Sequence, residues 1–146
     1  MHSTNRFQDE NLVLAHFYSE VWVVCPACSG KAVAKTNTAT KTARLFCVHC
    51  GYNKEVSTSI GKNEFVTTAA NYFFEVALWL KANFKDEVFW AYNHQHLIYL
   101  EQYIAASLRE HKDRSHFTLL EKLPKFYHQA KNRSELLKII QKLKSK

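Results

Sequence analysis

Glycine is nearly missing from this chain. Three occur in 146 residues, Gly30, Gly51 and Gly61, and residues 62–146 contain none. Backbone that needs positive φ is therefore expected close to the cysteines. Long apolar runs are missing too. No stretch approaches the ~18 uncharged apolar residues of a membrane-spanning helix, so no membrane partner is expected. The first ten residues, Met1 to Glu10, are polar and lack the basic n-region and apolar core of a signal peptide. A cytoplasmic protein with reduced thiols is the expectation. Catalytic signatures are absent as well. Without a G-x-x-x-x-G-K-[ST] segment the chain holds no P-loop motor. No serine lies in a G-x-S-x-G elbow, no pair of carboxylates stands out, and acids are sparse around the histidines. No catalytic residue is assigned, and neither an enzyme nor a small-molecule substrate is expected.

What is present is ordinary in bulk and uneven in detail. The length suits one globular domain, and 47% hydrophobic with 23% charged residues argues against long-range disorder. The formal net charge of +7 favours an anionic partner. It is not spread evenly. Residues 1–24 carry one base and three acids, net −2, and residues 25–62 carry six and one, net +5. Residues 63–110 carry three bases and six acids, net −3, and residues 111–146 carry ten and three, net +7.

Strands are expected at residues 21–24, 31–36, 42–47 and 53–56. The aromatic and β-branched runs from Tyr72 to Leu80 and from Glu87 to Tyr92 read as a β-hairpin turning at Asn83-Phe84-Lys85-Asp86. A buried helix over 70–82 is the competing reading. Asn93 can cap a helix carrying Leu97, Leu100, Ile104 and Leu108. Ser115 or Thr118 can open a short turn. Pro124 suits the first position of a second helix. Asn132-Arg133-Ser134-Glu135 resembles a capping box before a third, with an apolar stripe of Leu136, Leu137, Ile140 and Leu143. Its opposite face carries Lys138, Lys142 and Lys146.

The strongest signal is Cys25-Pro26-Ala27-Cys28 followed, after eighteen residues, by Cys47-Val48-His49-Cys50. Each C-x2-C can offer two thiolates to one ion from a single tight turn, and the spacing reads as a zinc site. Four thiolates fill a tetrahedral shell, which makes one structural zinc ion the expected cofactor, on Cys25, Cys28, Cys47 and Cys50. Disulfides are disfavoured in a reducing compartment. The matched second pair argues against a thioredoxin-like redox motif, and a rubredoxin-type iron site has compatible ligands. A zinc deaminase needs Pro before its cysteine pair and an upstream His-x-Glu, and neither occurs. Asn93-His94-Gln95-His96 holds a His-x-His, but i and i+2 on a helix point to different faces.

Residues 25–52 resemble a zinc ribbon of the transcription-factor-IIB type. Further motifs lie downstream: Leu78-Trp79-Leu80, Trp90-Ala91-Tyr92-Asn93, His96-Leu97, Leu108-Arg109-Glu110, Leu123-Pro124 and Ala130-Lys131-Asn132-Arg133. Together they are similar to a bacterial family of zinc-ribbon-containing proteins with no settled biochemical role, over roughly residues 21–143. The expected fold is α+β: an N-terminal four-cysteine ribbon in residues 1–62, then an aromatic hairpin and about three helices in residues 63–146. No Gly/Pro/Ser-rich linker separates the two parts, so one packed unit is expected.

Two partner classes remain. Lys31, Lys35, Lys41 and Arg44 on the ribbon, with Lys138, Lys142 and Lys146 at the C-terminus, are the candidate phosphate contacts for nucleic acid. Trp79, Trp90 and Tyr92 are the candidate contacts for a protein partner, as an exposed aromatic patch would be. Four thiolates on one divalent zinc carry −2, so part of the ribbon's positive charge can neutralise its own metal centre. The C-terminal zone has no such internal claim.

Overall fold

A computed structural model describes residues 6–7, 17–61, 64–65, 68–106, 108–109 and 123–146. After a two-residue strand at Arg6–Phe7 come four longer ones: β1 Glu20–Val24, β2 Lys31–Asn37, β3 Thr42–Phe46 and β4 Asn53–Ser57. They pair antiparallel in sequence order. Alternation decides the faces. Val21 lies opposite Ala34 and Ala34 opposite Leu45, and all three are buried. Alanine at 32, 34 and 43 keeps the inner face shallow, and the buried Ala69 and Ala70 pack in the same core. Ala70 N donates to Tyr18 O at 2.9 Å.

The outer edge of β1 is not left bare. Val24 N donates to Ala77 O at 2.9 Å, Trp79 N to Trp22 O at 3.0 Å and Trp22 N to Tyr92 O at 2.7 Å. These bonds use up an edge that would otherwise invite another strand. They also tie the ribbon to the segment from Ala77 to Tyr92, and the buried side chains of both parts form one cluster.

The hairpin forms from β5 Leu80–Phe84 and β6 Glu87–Ala91, around the two-residue turn Lys85-Asp86. Its first strand starts later than the aromatic run suggests. Ala70–Phe73 instead makes a 3-10 turn, and Glu75 takes a left-handed φ of 54° that breaks the extended run. Leu78 then bridges Val23 of the ribbon. Tertiary pairing thus overrides local β-propensity here. Phe84 and Phe89 point inward from the hairpin and stack on Phe126 and Tyr127, at 5.4 and 5.3 Å between ring centroids.

Two α-helices are found among the described residues, not about three. They are α1 His94–Ala105 and α2 Arg133–Lys144. α1 buries Leu97, Leu100 and Ile104, and it stops before Leu108, which pairs in a two-residue strand with Arg6–Phe7. α2 buries Leu136, Ile140 and Leu143. The helix expected from Pro124 is replaced by two 3-10 turns, Lys125–Tyr127 and Ala130–Asn132. Pro124 is extended at ψ 152°, and Gln129 between the turns is extended too, at ψ 124°, so no α-helical ladder can run through. Ser115 and Thr118 lie outside the described residues.

Asn132 does not act as the cap of a capping box. Its φ and ψ of −96° and −7° are helical, and its side chain makes no cap bond. The amide is spent elsewhere: Oδ1 accepts from Lys85 Nζ at 3.1 Å, and Nδ2 donates to Phe126 O at 3.2 Å and Gln129 Oε1 at 3.1 Å.

His94 and His96 do part company. His94 is exposed and stacks on Trp22, with ring centroids 6.0 Å apart. His96 is buried under Phe17, accepts from Tyr92 N through Nδ1 at 3.0 Å, and leaves Nε2 without a partner among the described residues. Burial drives its pKa down to about 3. The unfolded chain binds the proton near 6.5 and the folded chain does not. Stability from this group is therefore complete above pH 6.5 and declines between there and about pH 3. The loss expected by pH 5 is about 2 kcal/mol. Urea unfolding at pH 7 and pH 5 measures it. His96→Gln, weaker at neutral pH, should show a flatter pH dependence than the native chain, since both keep the same cysteines. Equal slopes would refute the assignment.

Candidate metal centre

Each cysteine pair follows a strand directly, Cys25 after β1 and Cys47 after β3. The two turns fold alike. Cys25 N donates to Gly30 O at 2.8 Å and Ser29 N to Cys25 O at 2.9 Å. In the second, Cys47 N donates to Tyr52 O at 2.9 Å and Gly51 N to Cys47 O at 2.8 Å. Neighbouring sheet strands bring the turns face to face.

The four Sγ atoms lie within 4.8 Å of one another. Cys25 Sγ is 3.7 Å from Cys50 Sγ, and Cys28 Sγ is 3.6 Å from Cys47 Sγ. A regular tetrahedron with metal–sulfur bonds of about 2.3 Å has edges of about 3.8 Å. The thiols are thus spaced to share an ion, and too far apart for the ~2.05 Å bond of a disulfide. Cys25 and Cys47 are buried, while Cys28 and Cys50 face solvent.

Backbone amides support the sulfurs. Ala27 N donates to Cys25 Sγ at 3.3 Å and Gly30 N to Cys28 Sγ at 3.4 Å. Such bonds fix and stabilise thiolate ligands. Burial alone would raise the Cys47 thiol, but the N–H groups of Cys50 and His49 and the neighbouring thiols hold it down to about 7. At Cys28 the Gly30 N–H pulls the other way, yet the Cys47 thiol and burial push the pKa up to about 12. Cys50 is raised as well, burial and the Cys25 and Cys47 thiols outweighing the Tyr52 N–H. One proton leaves easily and others stay. An arriving cation must displace those others.

The glycines serve this site in different ways. Gly51 takes φ +80° with open space around its Cα, so its need is conformational. Gly30 is not left-handed. A Cβ there would meet Cys28 Sγ and His49 Cδ2, each at 3.3 Å, so its need is close approach between the turns. The left-handed position of the first turn falls on Ser29, at φ 64°. Lys41, Glu75 and Lys85 are left-handed too, so positive φ is not confined to the cysteine turns. Each such residue costs roughly 1–2 kcal/mol.

The other expected contacts are scattered. Lys35 pairs with Glu20 at 3.4 Å and Arg44 with Glu55 at 3.1 Å. Lys31 Nζ lies 3.7 Å from the Trp22 ring centroid. Lys41 sits in the β2–β3 turn, its carbonyl accepting from Thr58 N at 2.9 Å. Lys138 and Lys142 are exposed on α2. Lys146 is held against the hairpin: its Nζ donates to Trp79 O at 2.6 Å and lies 4.3 Å from that ring. Trp79 and Trp90 are half-buried. Tyr92 is only 7% exposed, with Trp90 and Tyr18 against it, and burial pushes its hydroxyl up to about 12. It is a core residue rather than an exposed contact.

The scan of protein-family models and the searches of curated proteins and of solved structures find no match to this chain. Its geometry alone carries the functional reading. The four-cysteine cluster on an antiparallel sheet is consistent with a zinc-ribbon-like module able to hold a metal ion. No helix among the described residues is long and apolar enough to cross a membrane.

Sequence reasoning passed over Trp22 and Phe46. Both lie on strand positions that face away from the core, Trp22 half-buried and Phe46 exposed. The available signal was the apolar residue at two outward positions of β1, Trp22 and Val24, and at the end of β3.

Proposed function

We propose that this chain is a non-enzymatic, cytoplasmic zinc-ribbon module that binds nucleic acid. Four soft thiolates at tetrahedral spacing favour zinc, and a shell closed by four sulfurs makes the ion structural. Cys25 and Cys28 would hold it from the first turn, Cys47 and Cys50 from the second. The ion would supply folding energy and leave no open position for a substrate. The observation that carries the nucleic-acid reading is the set Lys125, Lys131, Lys138 and Lys142. All four are exposed, and none forms an ion pair among the described residues. The ribbon's Lys35 and Arg44 face carboxylates in half-exposed pairs that a phosphate can replace, so they stand second to this set. Unpaired lysines in a zone of net +7 are available to phosphates. A protein-partner surface built from the hairpin aromatics finds less support, because Tyr92 is buried and Lys146 covers part of Trp79.

Anisotropy of a labelled oligonucleotide at several salt concentrations tests this. Four phosphate contacts predict about a hundredfold weaker binding at 200 mM than at 50 mM salt. Lys138→Gln with Lys142→Gln should lower affinity for every sequence alike and reduce the salt slope by about two. No binding at 50 mM salt would end the proposal. Elemental analysis of the purified protein should return one zinc per chain, and iron in its place would replace the metal assignment.

A further inference from the structure

The outward face of the ribbon sheet carries two unlike rows of side chains. Trp22, Val33 and Phe46 are direct neighbours across β1, β2 and β3. One step along the strands, Glu20, Lys35, Arg44 and Glu55 form a wholly charged row across all four strands. An outward sheet face is usually polar throughout. Here the apolar row stays partly open to solvent, and Phe46 is 42% exposed. Between the rows lies a hollow of ≈ 390 Å³ lined by Glu20, Val33, Lys35, Arg44 and Phe46.

We infer that this face seats unpaired nucleotides of a single-stranded nucleic acid, a base against Phe46 and Val33 and its phosphate on Lys35 and Arg44. The inference rests on the nucleic-acid reading above and specifies the strand form and the second contact surface. The chemistry fits part by part. Phe46 offers an aromatic face for stacking. The rows are two residues apart along each strand, about 6.6 Å, which sets a cation beside a seated base rather than beneath it. Glu20 at the rim can accept from a base N–H, such as the N3–H of thymine.

The cations are available at little cost. The Lys35–Glu20 and Arg44–Glu55 pairs are about half exposed, and such solvent-screened pairs contribute little to stability. A phosphate can replace either carboxylate. Lys31, held over Trp22, marks the end of the aromatic row where the backbone of a strand would leave the platform. A duplex could reach the cations, but its base faces are stacked away from the sheet. An acidic peptide could pair with the same cations without needing an aromatic face.

The test uses the full zinc-loaded chain with a labelled fifteen-nucleotide oligo-dT and a duplex of equal length. The single strand should bind at least tenfold tighter. Phe46→Leu keeps an apolar side chain without the ring, and it should weaken single-strand binding by about five- to a hundredfold while leaving the duplex unchanged. Phe46→Tyr should restore it. Zinc content and circular dichroism of both variants establish that the fold is kept. Lys138→Gln with Lys142→Gln should weaken both nucleic acids together. Equal binding of single strand and duplex, unaffected by Phe46→Leu, overturns the inference and leaves the proposed function standing. The inference is also overturned if poly-glutamate competes as well as oligo-dT against both native protein and Phe46→Leu. Binding of neither nucleic acid removes both.

Discussion

Removing the metal is expected to unfold the ribbon. Beyond the bonds that tie β1 to the segment from Ala77 to Tyr92, the sheet's own inward face contributes little. Its inward side chains are Val21, Val23, Ala32, Ala34, Ala43 and Leu45, three of them alanines. Each buried methylene contributes about 0.8 kcal/mol, so an alanine-rich face contributes little. A structural zinc site contributes ~10–16 kcal/mol of apparent binding energy at neutral pH, as much as the whole stability of an ordinary domain. Treatment with a chelator should therefore abolish hydrogen-exchange protection across β1–β4. Cys25→Ser and Cys47→Ser should do the same without a chelator. α1 and α2 should lose less, because Leu97, Leu100, Ile104, Leu136 and Ile140 are buried there. Ribbon amides that stay protected in metal-free protein would show that the site is dispensable for folding. The pH dependence has a definite sign. Cys28 and Cys50 are raised and hold protons at neutral pH before the metal arrives. Loading zinc into weakly buffered apoprotein should acidify the solution, and affinity should fall as pH falls.

The parts legible in the sequence were those written locally. The two C-x2-C turns follow strands whose alternation is visible residue by residue, and the four strands appear within a residue or two of their expected bounds. Asn93 reads as a cap and is one. What could not be read locally depends on distant neighbours. The run from Tyr72 looks like one long strand, yet Leu78 is drawn to Val23 and Glu75 turns the chain to allow it. Asn132 looks like a cap until Lys85, Phe126 and Gln129 claim its amide. The candidate platform shows the same limit from another side. Trp22, Val33 and Phe46 are far apart in sequence and meet only once the register of three strands is known.

Asn93 should be the most costly single polar side chain to lose outside the metal centre. It is 7% exposed and occupies the junction between the hairpin, α1 and the entry to β1. Its Oδ1 accepts from His96 N at 2.9 Å, the cap bond of α1. Its Nδ2 donates to Phe17 O at 2.9 Å and to Glu20 O at 2.7 Å. Asn93→Ala removes the cap, about 1 kcal/mol, and strands two carbonyls, about 1–3 kcal/mol each in a buried site. A loss of roughly 3–7 kcal/mol is expected. Asn93→Asp separates the two roles. Aspartate is as good a cap as asparagine and suits a helix N-terminus. Its second oxygen, however, would face the oxygens of Phe17 and Glu20 where an amide now donates. Only the protonated acid can donate to either of them. The folded-state pKa of that carboxyl should therefore rise above the unfolded value near 3.9. Neutralisation on acidification then favours the folded form, so Asn93→Asp should lose less stability than the native chain as pH falls from 7 to 5. Urea unfolding of the native chain and both variants at those two pH values measures this. If Asn93→Asp were as stable as the native chain at pH 7, the two donated bonds would carry no weight, and capping alone would account for Asn93.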